Sequence, residues 1–357
     1  MNLKQKLYQM FILGCDGNGY KKALKNGLGG IIFFTKDIQS PEQFRSLIDE
    51  IKSEALIPPF LSIDQEGGRV ERTENIHHGK KYLSAKYARS KGILKEQTQE
   101  IAQELKSYGI NLNFAPCIDV NTNPNNPIIG ERAFSDNAED VIKCEKIVSQ
   151  TYRENGIIPC VKHFPGHGDA NADSHLTLPK IDLSLDEMQE HIKPFKACAR
   201  TIEMVMVAHL HCTCFEQDVI PTSLSKNAIS YLRGLGFEGI AISDDMIMAG
   251  VNNPHLLRAG KEFVNEQCEF TNSGAGATHV ALPNNIEKTC NVNSMVDTCE
   301  RGIRAGLNMF IYRNSTTETI EIIETIAEKA KTDKELQENI EKSYEKIIGL
   351  KFKKNML

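Results

Sequence analysis

Eight short apolar runs, each followed by a stretch with helical spacing, most constrain what this chain can fold into. They lie at 7–14, 28–34, 59–64, 110–115, 157–162, 203–209, 238–243 and 306–312. Most are nearly unbroken in Val, Ile, Leu and Phe. Strands with one wet face alternate apolar and polar residues; unbroken runs belong to strands covered on both faces, as in a parallel sheet wrapped by helices. About eight such strands joined through helices predict an α/β fold of the TIM (β/α)8 type. The 357 residues suffice for one such domain, and no stretch rich in Pro, Gly or Ser divides the chain.

Helix starts are readable between the runs. Ser40-Pro41-Glu42-Gln43 offers an N-cap, a proline at the first helical position and a capping-box glutamine. Ser184 with Glu187, and Ser315 with Glu318, read as two further capping boxes. Phe44, Leu47, Ile48 and Ile51 form one apolar helix face. Leu336, Ile340, Tyr344, Ile347 and Ile348 form another, so C-terminal helices are expected over 315–353. Residues 251–305 are polar and irregular and read as an atypical connection or insertion before the last strand.

Composition narrows the partners. The chain is 40% hydrophobic and 25% charged, with a formal net charge of -5 and no basic cluster, which argues against nucleic acid and anionic membranes. No apolar run approaches the roughly 20 residues that span a bilayer. The run ending at Cys15 is short and carries Gln9, so it reads as a first barrel strand rather than the core of a signal peptide. The ten cysteines are scattered without a CxxC pair, as suits reduced thiols in a cytoplasm. A monomer without a cofactor is the expectation.

The polar residues follow the carboxyl ends of the runs. Asp64-Gln65-Glu66-Gly67-Gly68-Arg69 follows the third run, and Asp119 with Gly130-Glu131-Arg132 the fourth. Lys162-His163 closes the fifth, His209 and His211 the sixth, and Asp244-Asp245 the seventh. In a barrel these ends converge on one face, where active sites are built. Singly, each has a plainer reading. Asp244 suits a helix N-cap, Asp64 can pair with Arg69, and Arg132 with Glu131. The richest segment is Lys162-His163-Phe164-Pro165-Gly166-His167-Gly168, followed by Asp173-Ser174-His175. On an extended loop the side chains of Asp173 and His175 point the same way, so the carboxylate can hold the imidazole in one tautomer and raise its pKa. The plainer alternative is a turn in which Asp173 accepts backbone N–H groups.

Taken in order, Ile63-Asp64-Gln65-Glu66-Gly67-Gly68-Arg69-Val70, Ile129-Gly130-Glu131-Arg132-Ala133-Phe134, the Lys162–Gly168 segment, Asp173-Ser174-His175 and Ser243-Asp244-Asp245 resemble glycoside hydrolase family 3. More narrowly they resemble its bacterial N-acetyl-β-glucosaminidases. The resemblance runs from about residue 7 to 250 and resumes near 303. It implies a retaining double displacement on a one-domain barrel. Asp244 would be the nucleophile; His175, polarised by Asp173, would be the acid and then the base. Asp64, Arg132, Lys162 and His163 would hold the terminal sugar. No metal is implied. The implied substrates are peptidoglycan-derived fragments bearing a terminal N-acetylglucosamine, processed in cell-wall recycling.

A neutral base repels an anionic acceptor less than a carboxylate does, so phosphorolysis is an alternative outcome, as is another family 3 β-glycosidase specificity. Gly166 and Gly168 would let the dyad loop open and close over substrate. The chain departs from the family pattern across 251–305. It also contains no Trp, so a stacking platform would need Tyr or Phe. Two rivals remain. His163, His167, Asp169, Asp173, His175, His209 and His211 could form the centre of a metal-dependent hydrolase, and a non-catalytic sugar-binding barrel would share much of the pattern.

Overall fold

A computed structural model describes residues 1–77, 80–172, 178–252 and 292–357. Eight parallel strands close into a barrel. They are β1 (Phe11–Asp16), β2 (Gly30–Phe33), β3 (Phe60–Ile63), β4 (Leu112–Asn113), β5 (Ile158–Phe164), β7 (Met204–Val207), β9 (Ile240–Asp245) and β10 (Met309–Asn314). Each lies beside its predecessor, and β10 closes on β1 with Phe11 opposite Phe310. Two further strands, β6 (Lys180–Ile181) and β8 (His211–Cys212), pair apart from the barrel.

Every expected run overlaps a barrel strand, and helices cross between them as parallel strands require. The first run begins differently from expectation. Leu7 and Tyr8 belong to a short helix, Leu3–Tyr8, started by a reciprocal capping box between Asn2 and Gln5. Ser184 and Glu187 form the expected box. Ser40 accepts the Gln43 N–H at 3.2 Å, while the Gln43 side chain accepts the N–H of Gln39 rather than that of the cap. The third expected box gives way to a plain N-cap one residue on. Thr316, not Ser315, caps Thr317–Lys329, because the Ser315 hydroxyl donates to Asp16 O at 2.9 Å.

The described end of the irregular segment is an ordinary barrel helix. Val292–Ala305 buries Val296, Cys299 and Ile303 against the core. Residues 253–291, expected to form a connection or insertion, lie outside the described residues. Helices Thr317–Lys329 and Lys334–Lys353 fulfil the C-terminal expectation, the latter burying Leu336, Ile340 and Ile347. No helix among the described residues is long and apolar enough to cross a membrane.

Candidate active site

Asp64 leaves β3, Lys162 and His163 lie in the second half of β5, Asp244 and Asp245 end β9, and Arg313 sits near the end of β10. Arg132 comes from the helical turn Gly130–Arg132 after β4. These side chains line one cleft at the carboxyl end of the barrel, together with Phe34, Arg72, His167 and Met206. The cleft, counted with the solvent at its open mouth, spans about 830 Å³.

Buried amides set the backbone that carries these groups. Asn113 on β4 accepts the Gln65 N–H at 3.0 Å and donates to Gln65 O at 2.9 Å, which clamps the Asp64–Glu66 stretch between two strands. Gln65 Oε1 in turn accepts the Arg72 N–H at 2.7 Å, so the same clamp holds Arg72. Asn126 Oδ1 accepts the N–H groups of Ile128 and Ile129 at 2.9 and 2.8 Å, and Asn121 Oδ1 that of Gly130 at 3.2 Å. Those bonds shape the turn that presents Arg132.

The charges interlock. Lys162 Nζ lies 2.6 Å from Asp64 Oδ1 and 2.6 Å from Glu66 Oε1. Arg132 meets Glu66 in a fork, Nε to Oε2 at 2.9 Å and Nη2 to Oε1 at 2.8 Å. The plainer pairings are therefore wrong in detail. Asp64 pairs with Lys162 rather than Arg69, and Arg132 with Glu66 rather than Glu131. Arg69 instead donates to the carbonyl oxygens of Pro127 and Ile128. Burial alone would raise the Glu66 pKa, but the Arg132 and Lys162 cations outweigh it and hold the carboxyl well below its usual range. Burial opposes the charge on Lys162 as well, and Asp64 and Glu66 overcome it, so the ammonium is held above its ordinary pKa.

A second cluster centres on fully buried Asp119. Its Oδ2 lies 2.6 Å from His163 Nδ1, and its Oδ1 accepts the N–H groups of His163 and His167 at 3.2 and 2.7 Å. His163 Nε2 then faces Arg132 Nη2 at 3.3 Å. Asp119 thus fixes the imidazole ring. Burial would lift the Asp119 pKa, yet His163 and His167 keep it well below the usual carboxylate range.

Asp244 is half-buried on the cleft wall, and its Oδ1 accepts the N–H of Asp245 at 2.7 Å. Asp245 Oδ1 accepts the N–H groups of Ile247 and Arg313 at 3.1 and 3.2 Å, which ties the end of β9 to the turn after it and to β10. Burial pushes Asp245 up to about 6, with the Asp244 charge adding to it and Arg313 opposing.

The glycines of the Lys162–Gly168 segment answer to packing. A Cβ on Gly168 would lie 1.7 Å from Val120 O, and Gly166, at φ 132°, would place one 2.6 Å from His191 Cβ. Among the described residues, the histidines of the metal reading do not form one set. His209 bonds Ser223 Oγ at 2.7 Å and Asp245 O at 3.2 Å, and His211 lies on β8 opposite Lys180. Among the described residues, Cys117, Asp119 and His163 bring ligand atoms within 4.8 Å of one another. They are already hydrogen-bonded together, and burial, reinforced by Asp119, pushes the Cys117 thiol well up, against the thiolate a metal needs.

Five expected side chains, Asp64, Arg132, Lys162, His163 and Asp244, thus share one cleft. Asp173 and His175 lie outside the described residues. Residues 2–267 match the glycosyl hydrolase family 3 N terminal domain. The chain belongs to glycosyl hydrolase family 3. Within this family, it is 34% identical over 251 residues to beta-hexosaminidase A of Pseudoalteromonas piscicida, covering 63% of this chain and 42% of that protein. It is 33% identical over 244 residues to the beta-hexosaminidase of Neisseria gonorrhoeae (strain NCCP11945), covering 64% of this chain and 66% of that one. The matched part is therefore under two thirds of either relative's length. The fold superposes on the family 3 beta-N-acetylglucosaminidase of Paenibacillus sp. str. FPU-7 with a TM-score of 0.80 and 27% identity, over 100% of this chain and 63% of that one.

Missed from sequence were Glu66, Asp119, Arg72 and Arg313 as members of the site. Glu66 lies inside a motif and Asp119 follows the fourth run, but neither position marks the partner it meets across the barrel. Nothing local marked Arg313, which reaches the cleft only because β10 lies beside β9.

Proposed function

We propose that this protein is a retaining, exo-acting N-acetyl-β-D-glucosaminidase. One observation carries the reading. A half-buried carboxylate, Asp244, lines the same cleft as the interlocked set Asp64, Lys162, Arg132 and His163. Asp244 attacks the anomeric carbon and forms a glycosyl ester, which water then cleaves. The dyad of His175 and Asp173 protonates the leaving oxygen and afterwards takes the proton of water. The fixed carboxylate and cations opposite hold the hydroxyl groups of the terminal sugar through charge-assisted hydrogen bonds. The named activity of the relatives supports the sugar, and the substrates are peptidoglycan-derived fragments processed in the cytoplasm during cell-wall recycling.

The test is a panel of nitrophenyl glycosides run with and without phosphate. The β-N-acetylglucosaminide should be turned over fastest, with the β-anomer of the sugar released first. Preference for a β-glucoside or β-xyloside would overturn the specificity. A phosphorylated sugar product would replace hydrolysis with phosphorolysis. Activity should survive a chelator, and its loss would favour the metal reading.

A further inference from the structure

Arg72, Arg132, Lys162 and Arg313 are the cations that line the cleft. Lys162 is paired with Asp64 and Glu66, Arg132 with Glu66, and Arg313 Nε lies 3.4 Å from Asp245 Oδ2. Among the described residues, Arg72 pairs with no carboxylate. Its guanidinium lies over the Phe34 ring, 5.9 Å from the centroid. Of its nitrogens only Nε is both sealed from solvent and without a partner. No acceptor among the described residues takes up the Nη groups, so this half-exposed side chain leaves them open to water at the cleft.

The guanidinium is also set in place. The Arg72 N–H donates to Gln65 Oε1 at 2.7 Å, and the Phe34 N–H to Asp37 Oδ2 at 2.9 Å. Phe34 follows β2 and Arg72 follows β3, whereas Lys162 and His163 stand across the barrel mouth on β5. The chemistry then selects the partner. A guanidinium only donates and keeps its charge. A ligand filling the cleft would strip its water. A neutral hydroxyl could accept a hydrogen bond but would leave the charge unmatched, which is costly away from water. A carboxylate matches both the charge and the planar fork. The terminal N-acetylglucosamine is neutral, so the carboxylate must come from the leaving half of the substrate.

We propose that Arg72, seated on Phe34, is a specificity-determining residue that pairs with a carboxylate on the leaving half of the substrate. The proposal rests on the glycosidase reading above. Its test compares kcat/KM on β-1,4-disaccharides that share a non-reducing N-acetylglucosamine. The leaving sugar is N-acetylmuramic acid, its methyl ester, or N-acetylglucosamine. Wild type should favour the acid over both neutral substrates by roughly tenfold or more, the effect of one hydrogen bond to a charged group. In Arg72→Gln that preference should shrink to about twofold or less, whatever the variant loses overall. A wild type that treats acid and ester alike, or an undiminished preference in Arg72→Gln, would overturn the proposal. Should that variant not fold, a crystal of Asp244→Asn with the acidic disaccharide decides. A carboxylate oxygen within about 3.2 Å of an Arg72 Nη is expected, and separation beyond about 4 Å refutes it. Inorganic phosphate is the other anion to try. Phosphate that speeds cleavage of the neutral disaccharide in wild type but not in Arg72→Gln, with no preference for the acid, would assign Arg72 to the acceptor and overturn the proposal. A wild type inactive on every glycoside would refute the glycosidase reading itself, and is told apart because no preference can then be measured.

Discussion

Two buried lysines mark the two ends of the barrel. Lys162 at the carboxyl end is 1% exposed and Lys351 at the opposite end 0%. Lys162 sits between two carboxylates and is held above its ordinary pKa. Among the described residues Lys351 finds only neutral partners, Gln9 Oε1 at 2.8 Å and Gly29 O at 3.0 Å, with the Phe60 ring 4.9 Å from Nζ, and burial pushes it down to about 7. Equal burial thus gives opposite shifts, and the carboxylates decide the sign. At the carboxyl end the charges are locked in place, where they can grip a polar ligand. At the other end the lysine fills and seals the barrel floor.

The sharpest break of this comparison is Lys162→Met. It leaves Asp64 and Glu66 without their shared cation, and uncompensated buried charge costs on the order of 3–5 kcal/mol. Urea unfolding should show that loss, and kcat/KM on the nitrophenyl substrate should fall by more than about a hundredfold, the scale of a lost charged contact to a bound sugar. A variant as stable and active as wild type would erase the distinction between the two ends.

Lys351→Met should behave differently. In the unfolded chain Lys351 titrates near 10.5, against about 7 when folded. Between those values the unfolded state holds the extra proton, so the Lys351 contribution makes wild-type stability rise with pH. The cost of burying the ammonium is fully present below about pH 7 and fades above it. The variant lacks this rise. Its stability relative to wild type should therefore decline by on the order of 4 kcal/mol from pH 7 to 10, with turnover unchanged. Unfolding curves at several pH values check the slope, and a pH-independent difference would contradict it.

The smallest effect belongs to Lys6→Ala. Lys6 Nζ stands 2.6 Å from Glu341, as close as Lys162 stands to Asp64, but these side chains are 21% and 40% exposed. Its loss should cost under about 1 kcal/mol and less still at high salt. A larger loss in the same unfolding assay would show that distance, not burial, sets the value of these pairs.

Much of this was legible in the chain. Barrel strands are covered on both faces, so all eight announce themselves as apolar runs, and their carboxyl ends bring Asp64, Arg132, Lys162, His163 and Asp244 together. What stayed hidden were relations across the barrel. Arg132 could be seen to need a carboxylate, but neighbouring Glu131 was as available on paper as Glu66, and only closure of the barrel chooses. The Thr316 cap was missed because Ser315 is used by Asp16, a residue 299 positions away. Gly166 and Gly168 looked like hinges because a sequence does not reveal the Val120 carbonyl or His191 packed against them.

The central claim is that Asp244 bonds to the anomeric carbon. A 5-fluoro N-acetylglucosaminyl fluoride should slow release of the ester enough to trap it, and peptide mass mapping of the labelled protein would locate the sugar. The account predicts one label, on Asp244, absent from Asp244→Asn. A label on Asp245, Asp64 or any other side chain would contradict it.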